Sequence, residues 1–202
     1  MLKFEDFVED KKTRSLTVWD IDDTLFRTET KVFVVKNSRR VETLTPAEFN
    51  SYKLKLGEKF DFSEFSSSKV FNTTARPIYA AFETAKKMLS EFKDSPQKKM
   101  IIITARSDLD DKKLFLNTFK KYGFDISRVR IERAGNRYLP GAIAKAQIIS
   151  EYLQKGNYAV VRMFDDATKN LQLFLELKQE FSQVNFEAFL IHKNGSITRY
   201  GR

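Results

Sequence analysis

Three carboxylates fall within four positions in Asp20-Ile21-Asp22-Asp23-Thr24, directly after the apolar stretch Leu16-Thr17-Val18-Trp19. Like charges packed this closely repel and lose hydration if buried, so an acidic cluster at the end of a core strand calls for a cation. A carboxylate beside a hard divalent cation can attack phosphorus and form an aspartyl-phosphate that water then hydrolyses. That route needs a nucleophile, a proton donor for the leaving oxygen, donors for the phosphoryl oxygens and further carboxylates for the metal.

Other readings of this stretch stay open at this point. An acidic run can be a solvated loop, and Asp22-Asp23-Thr24 can be a turn that caps a helix. A calcium loop of the EF-hand type also begins D-x-D-x-T, but Leu25 stands where that loop requires glycine and Lys31 where it requires glutamate.

Two more strand-like runs end in polar groups: Met100-Ile101-Ile102-Ile103 leads into Thr104-Ala105-Arg106, and the strand Tyr158 to Phe164 leads into Asp165-Asp166. Helical spacing of Ile78, Ala81, Phe82, Ala85, Met88, Leu89 and Phe92 separates the first tip from the second. A helix bearing Phe115, Phe119 and Tyr122 and ending at Gly123 follows, then a strand with Val129 and Ile131. Ile143, Ile148, Tyr152 and Leu153 mark the next helix, and Leu171, Phe174 and Leu175 the last. Val184, Phe186, Ala188 and Leu190 alternate along a final core strand, and Asn194-Gly195 turns the chain into a short strand, Ile197 to Tyr200. This alternation predicts a mostly parallel α/β sheet covered on both faces, with ligands beyond the strands' carboxyl ends. The three tips should converge on one crevice.

The segment from about Arg27 to Thr74 departs from the alternation. Val32 to Lys36 and Arg39-Arg40-Val41 flank Asn37-Ser38 as a tight hairpin, and Thr45-Pro46-Ala47-Glu48 carries a capping box that starts a short helix. Phe49, Tyr52, Phe60, Phe62, Phe65 and Phe71 are expected mostly to line this segment's own core. Lys31, Lys36, Arg39 and Arg40 suit either contact with a polyanion or protection of an exposed strand edge.

The chain has 202 residues, a net charge of +9 and no cysteine. Disulfide-linked partners, thiolate catalysis and thiolate metal sites are therefore excluded, and one histidine, His192, cannot build a multi-histidine zinc site. Oxygen ligands and a hard cation remain, Mg²⁺ first. The positive charge attracts phosphate-bearing partners without naming one. No apolar run reaches membrane-spanning length, and Glu5, Asp6, Glu9 and Asp10 break any signal-peptide pattern, so no membrane partner and a cytoplasmic location are expected.

On these motifs the chain resembles the haloacid dehalogenase superfamily of phosphatases. Asp20-Ile21-Asp22-Asp23-Thr24 matches its D-x-D-x-T motif, Ile101-Ile102-Ile103-Thr104 its strand ending in Ser or Thr, and Met163-Phe164-Asp165-Asp166 its strand ending in paired acids. A basic residue is matched by Lys145, 20 positions ahead of Asp165. The resemblance implies a Rossmann-like three-layer sandwich, one domain over 1–202, with a small cap or flap inserted at 27–74. It implies that Asp20 is nucleophile and Mg²⁺ ligand, and that Asp22 is general acid then base with its backbone carbonyl on the metal. Thr104 and Lys145 would hold the transferring phosphoryl group, and Asp165 and Asp166 would complete the metal shell. Thr24 would order the first loop. Arg106 has no fixed family role; it suits a bidentate pair with phosphate or a salt bridge to Asp108 or Asp166. Asp23 stands where many members have glycine.

A small insertion and a basic chain are similar to compact nucleic-acid-end phosphatases, so the expected substrate is a nucleotide or a nucleic-acid end. The alternatives are a phosphatase of small metabolites, transfer to an acceptor other than water, and a non-catalytic basic nucleic-acid-binding protein on the same fold.

Overall fold

The computed structural model describes residues 2–7, 12–49 and 51–201, so Glu9, Asp10 and Lys11 lie outside the described residues. The first core strand, β1 (Ser15–Trp19), leads into a loop and a short strand, β2 (Phe26–Arg27). There follow β3 (Val32–Lys36), β4 (Arg39–Leu44), α1 (Pro46–Phe49), β5 (Glu58–Asp61), α2 (Ser68–Thr74) and β6 (Arg76–Pro77). The regular part then runs α3 (Tyr79–Glu91), β7 (Lys98–Thr104), α4 (Lys112–Lys121), β8 (Arg130–Arg133) and α5 (Gly141–Lys155). It finishes with β9 (Val160–Asp165), α6 (Thr168–Glu176), β10 (Asn185–Ile191) and β11 (Ile197–Tyr200).

Six strands form the central sheet in the order β11-β10-β9-β1-β7-β8, all parallel except β11. Alternation along each strand divides the apolar residues between two cores. Leu16, Val18, Ile101, Ile103, Val161 and Met163 face α5 and α6, where Ile148, Ile149, Leu153, Leu171 and Phe174 meet them. Trp19, Met100, Ile102 and Phe164 face α3 and α4, against Phe82, Met88, Phe115 and Phe119. Helices thus cover both faces of a largely parallel sheet, as the alternation of elements predicts. No helix among the described residues is long and apolar enough to cross a membrane.

Register brings the three strand tips level. Trp19 pairs with Ile102 on one side and Phe164 on the other, and Phe164 pairs with Phe189. Trp19 stacks on Phe164 at 3.9 Å between centroids, and Phe164 on Phe189 at 4.8 Å, so three rings cross three adjacent strands. This ring ladder ends one residue short of Asp20 and Asp165 and makes their floor. The alternation read in β10 holds for Phe186 and Ala188, but Phe189 and Ile191 on its opposite side are buried too, because both faces of this strand are covered.

The departing segment, 27–74, builds a separate antiparallel sheet in the order β4-β3-β5. Asn37 and Ser38 both take positive φ, 48° and 60°, the geometry of a tight two-residue hairpin turn. The expected capping box forms, with Thr45 N donating to Glu48 Oε2 at 2.7 Å and Glu48 N to Thr45 Oγ1 at 3.3 Å. Val32, Val34 and Leu44 make its core with Phe49, Tyr52, Phe60 and Phe65 around them. Phe71 is the exception among these rings: α2 turns it into the main core, edge-on to Phe26 at 5.5 Å. Phe62 remains largely exposed. Pairing of β2 with β6 forms the neck through which the segment leaves and returns.

Candidate active site

The loop after β1 folds around one carbonyl. Amides of Thr24, Leu25 and Phe26 converge on Ile21 O at 3.4, 3.0 and 2.8 Å, while Asp23 N donates to Phe26 O at 2.8 Å. Asp23 is forced to φ 56° by this turn, a conformation that aspartate accepts more readily than most residues. Asp20 therefore stands at the strand tip, buried, with Asp22 two residues on and partly open to solvent.

Lys145, one turn into α5 and 3 % exposed, donates to Asp20 Oδ1 at 2.6 Å and to Asp165 Oδ2 at 2.7 Å. The other oxygen of Asp165 accepts from Ala167 N at 2.9 Å and Asn170 Nδ2 at 2.8 Å, so its orientation is fixed from both sides. Thr24 Oγ1 donates to Asp166 Oδ1 at 3.3 Å and ties the first acidic loop to the last. Asp20, Asp165 and Asp166 each bring an oxygen within 4.8 Å of the others.

One ammonium does not balance three carboxylates. Burial pushes the Asp20 carboxyl well above its ordinary range; Lys145 opposes that shift, and Asp165, Asp166 and Asp22 add to it. Burial, then Asp165, pushes Asp166 up to about 7. Burial works against the charge of Lys145, but Asp165 and Asp20 outweigh it and hold the ammonium above its ordinary value. The cluster lacks positive charge, and its donors are carboxylate oxygens alone. That set fits a hard divalent cation of the Mg²⁺ type. The carboxylate of Asp22 stands outside this set.

Arg106 takes neither of the acids expected for it. Its guanidinium grips Asp22 with two bonds, Nε to Oδ2 at 2.8 Å and Nη2 to Oδ1 at 2.7 Å, and does not pair with Asp108 or Asp166. Nη2 also donates to Thr30 Oγ1 at 2.9 Å, and Nη1 to the carbonyl of Phe65 at 3.1 Å. The Phe65 and Phe71 rings lie 5.1 and 5.0 Å from its central carbon. With 1 % exposure and both prongs of its fork on Asp22, Arg106 holds that carboxylate in place. Thr104, fully buried at the end of β7, accepts from Arg106 N at 3.1 Å, which leaves its hydroxyl hydrogen available to another acceptor.

Sequence reasoning missed Thr28, Thr30, Asn170 and Gly135. The two threonines surround the Arg106–Asp22 pair, and nothing in their spacing marks them. Asn170 carries a weak signal, a polar residue one turn into the helix that follows the paired acids. Gly135 passes so close to the Thr104 loop that a Cβ there would overlap the Ala105 carbonyl oxygen and stand 2.7 Å from Ser107 N. The Nε2 of His192 pairs with Thr198 Oγ1 at 2.8 Å across the terminal hairpin.

A cleft of about 530 Å³ opens beside the cluster, lined by Asp23, Arg27, Asp166, Ile191 and Lys193. A larger groove of about 650 Å³ between α4 and the open edge of β8 contains none of the clustered acids. No family model matches the chain, and no curated protein matches it.

Proposed function

We propose that the chain is a Mg²⁺-dependent phosphomonoester hydrolase working through an aspartyl-phosphate, on a fold of the haloacid dehalogenase kind with residues 27–74 as a small cap. The observation that carries this reading is the buried Lys145 ammonium shared by Asp20 and Asp165 at adjacent strand tips, with Asp166 beside them. A structural ion pair needs one acid; a lysine set between two, in a cluster still short of positive charge, suits a site that receives a cation and a phosphoryl dianion.

A divalent ion held by Asp20, Asp165 and Asp166 would neutralise charge on the phosphoryl oxygens. Asp20 attacks phosphorus through Oδ2, the oxygen that Lys145 leaves free. The ester bond to the leaving oxygen breaks, and Asp22 gives that oxygen a proton. Asp22 then takes a proton from water as the water attacks phosphorus, the Asp20–phosphorus bond breaks, and inorganic phosphate is released. Arg106 fixes the orientation of the Asp22 carboxylate through two bonds. Lys145 and the Thr104 hydroxyl stabilise the phosphoryl oxygens throughout.

Release of phosphate from a generic aryl phosphate tests this directly. Turnover should need added Mg²⁺, stop with chelator and disappear in Asp20→Asn with the circular-dichroism spectrum unchanged. Turnover that survives in a folded Asp20→Asn protein overturns the reading.

A further inference from the structure

Every large apolar side chain that is exposed among the described residues lies on a segment at the carboxyl-end side of the central sheet. Four are in the 27–74 segment, Tyr79 begins α3, and Tyr138, Leu139 and Ile143 lie between β8 and the first turn of α5. Among the described residues, the opposite side of the sheet exposes none.

Tyr138 stands apart within this set. Its side chain is 100 % exposed, and its backbone is left-handed, φ 53° and ψ 30°, a conformation unfavourable for a residue carrying a ring. Both ends of its loop rest on the Thr104 loop. Gly135 abuts Ala105 and Ser107, and a Cβ on Gly141 would lie 3.8 Å from the Ala105 side chain. Three residues of chain reach at most about 10 Å, so the Tyr138 backbone stays within that distance of the Thr104 loop.

The side from which a leaving group departs is set by the acid. The candidate cation ligands lie over β1 and β9, whereas Asp22 is drawn toward the β7 side by Arg106. On the proposed reaction, on which this inference rests, the leaving oxygen faces Asp22, and the body of the ester extends over β7 and β8. The rim there is the Tyr138 loop. We propose that Tyr138 is a stacking platform for a planar ring in the leaving group, so that the substrate is a nucleotide, free or at the end of a strand. Stacking on an exposed ring tolerates any base, and the surrounding positive charge suits further phosphates.

The test compares KM and kcat for a nucleoside monophosphate, 3′- and 5′-phosphorylated oligonucleotides and glycerol phosphate, which has no ring. Tyr138→Ala should raise KM for the ring-bearing esters about tenfold relative to its effect on glycerol phosphate, with kcat little changed, and Tyr138→Phe should restore it. The ring-bearing arm with the lowest KM names the source. An equal effect on all esters, or none, overturns the proposal. If the wild-type chain hydrolyses no ester, the reaction reading falls, and a separate measurement still decides this one. Tyr138→Trp adds an exposed indole to a chain whose single tryptophan, Trp19, is buried. Quenching by a nucleoside monophosphate but not by inorganic phosphate or glycerol phosphate supports the platform, and absence of ring-specific quenching overturns it.

Discussion

Replacing Arg106 separates two roles that one arginine at this site can play. In Arg106→Ala the Asp22 carboxylate loses a two-bond partner, and the Thr30 hydroxyl and Phe65 carbonyl lose their donors. Breaking a fully buried ion pair by removing one member costs about 3–5 kcal/mol. Asp22 keeps a quarter of its side chain in solvent, so the lower end of that range applies to the pair. Thr30 is fully buried and keeps its bond to Thr28, so the donor it loses adds about 0.5–1.5 kcal/mol. The space vacated between the Phe65 and Phe71 rings adds to the loss. A total of about 4 kcal/mol follows, a large share of the roughly 5–15 kcal/mol that holds a domain of this kind.

Urea unfolding measures that loss, and a double-mutant cycle with Asp22→Asn isolates the pair, with an expected coupling of about 1–3 kcal/mol. Because Asp22 would be displaced rather than removed, kcat for an aryl phosphate should fall about a hundredfold while KM changes little. Arg106→Lys keeps the charge but loses the fork, and should recover part of the stability and little of the rate. The contrary result is a variant as stable as the parent whose inhibition by inorganic phosphate is weakened. That would make Arg106 a phosphate ligand and refute its assignment to Asp22.

Gly135→Ala forces a methyl group into the Ala105 carbonyl, so the Thr104–Ser107 loop must shift; overpacking of this kind costs about 1–3 kcal/mol, read from the urea midpoint, with a matching fall in kcat. A second outcome concerns metal and pH together. Burial, then Asp165, raises Asp166 from 3.8 to about 7, and Asp20 shifts in the same direction. The folded, metal-free chain therefore binds protons that the unfolded chain has already released, and its stability falls as pH rises from about 4 to 7. In chelator the melting temperature should drop between about pH 5 and pH 7.5, above the range in which Glu48, Glu151 and Asp110, all lowered, contribute. Mg²⁺ should shrink that drop by binding the ionised cluster; a chelated protein that gains stability across the same interval refutes the charge imbalance.

The strand tips were legible because a parallel strand buried on both faces reads as a mostly apolar run, broken here only by Thr17 and Arg162, and the polar residues that follow it lie at the carboxyl edge. Trp19 to Asp20, Ile103 to Thr104 and Phe164 to Asp165 are that transition three times. The Asn37-Ser38 turn was equally plain, since few residue pairs accept two positive φ values in succession. By contrast β5 was invisible: Glu-Lys-Phe-Asp has one apolar residue and no alternation, and it is a strand only because β3 offers it an edge. Phe71 misled for a related reason, since a ring in a short helix carries no mark of which of two neighbouring cores it enters.

Arg106 shows where such reading stops. A guanidinium two residues past a strand tip had several acids within reach, and its actual partner lies 84 positions away in sequence. The choice is made by the 27–74 segment, which contributes Thr28, Thr30 and the Phe65 carbonyl and leaves Asp22 as the acid that completes the guanidinium's set. The same segment is pinned to the β7–α4 loop by Asp110 N on Ser66 O at 3.0 Å, Ser68 N on Asp110 Oδ1 at 2.7 Å and Asp111 N on Ser68 Oγ at 3.1 Å. A cap hinged only at the β2–β6 neck would be free to swing. One anchored there and again beside Arg106 can move only by breaking these bonds and those that Thr30 and the Phe65 carbonyl accept from Arg106, so the seating of this segment and the setting of the guanidinium that holds Asp22 are coupled.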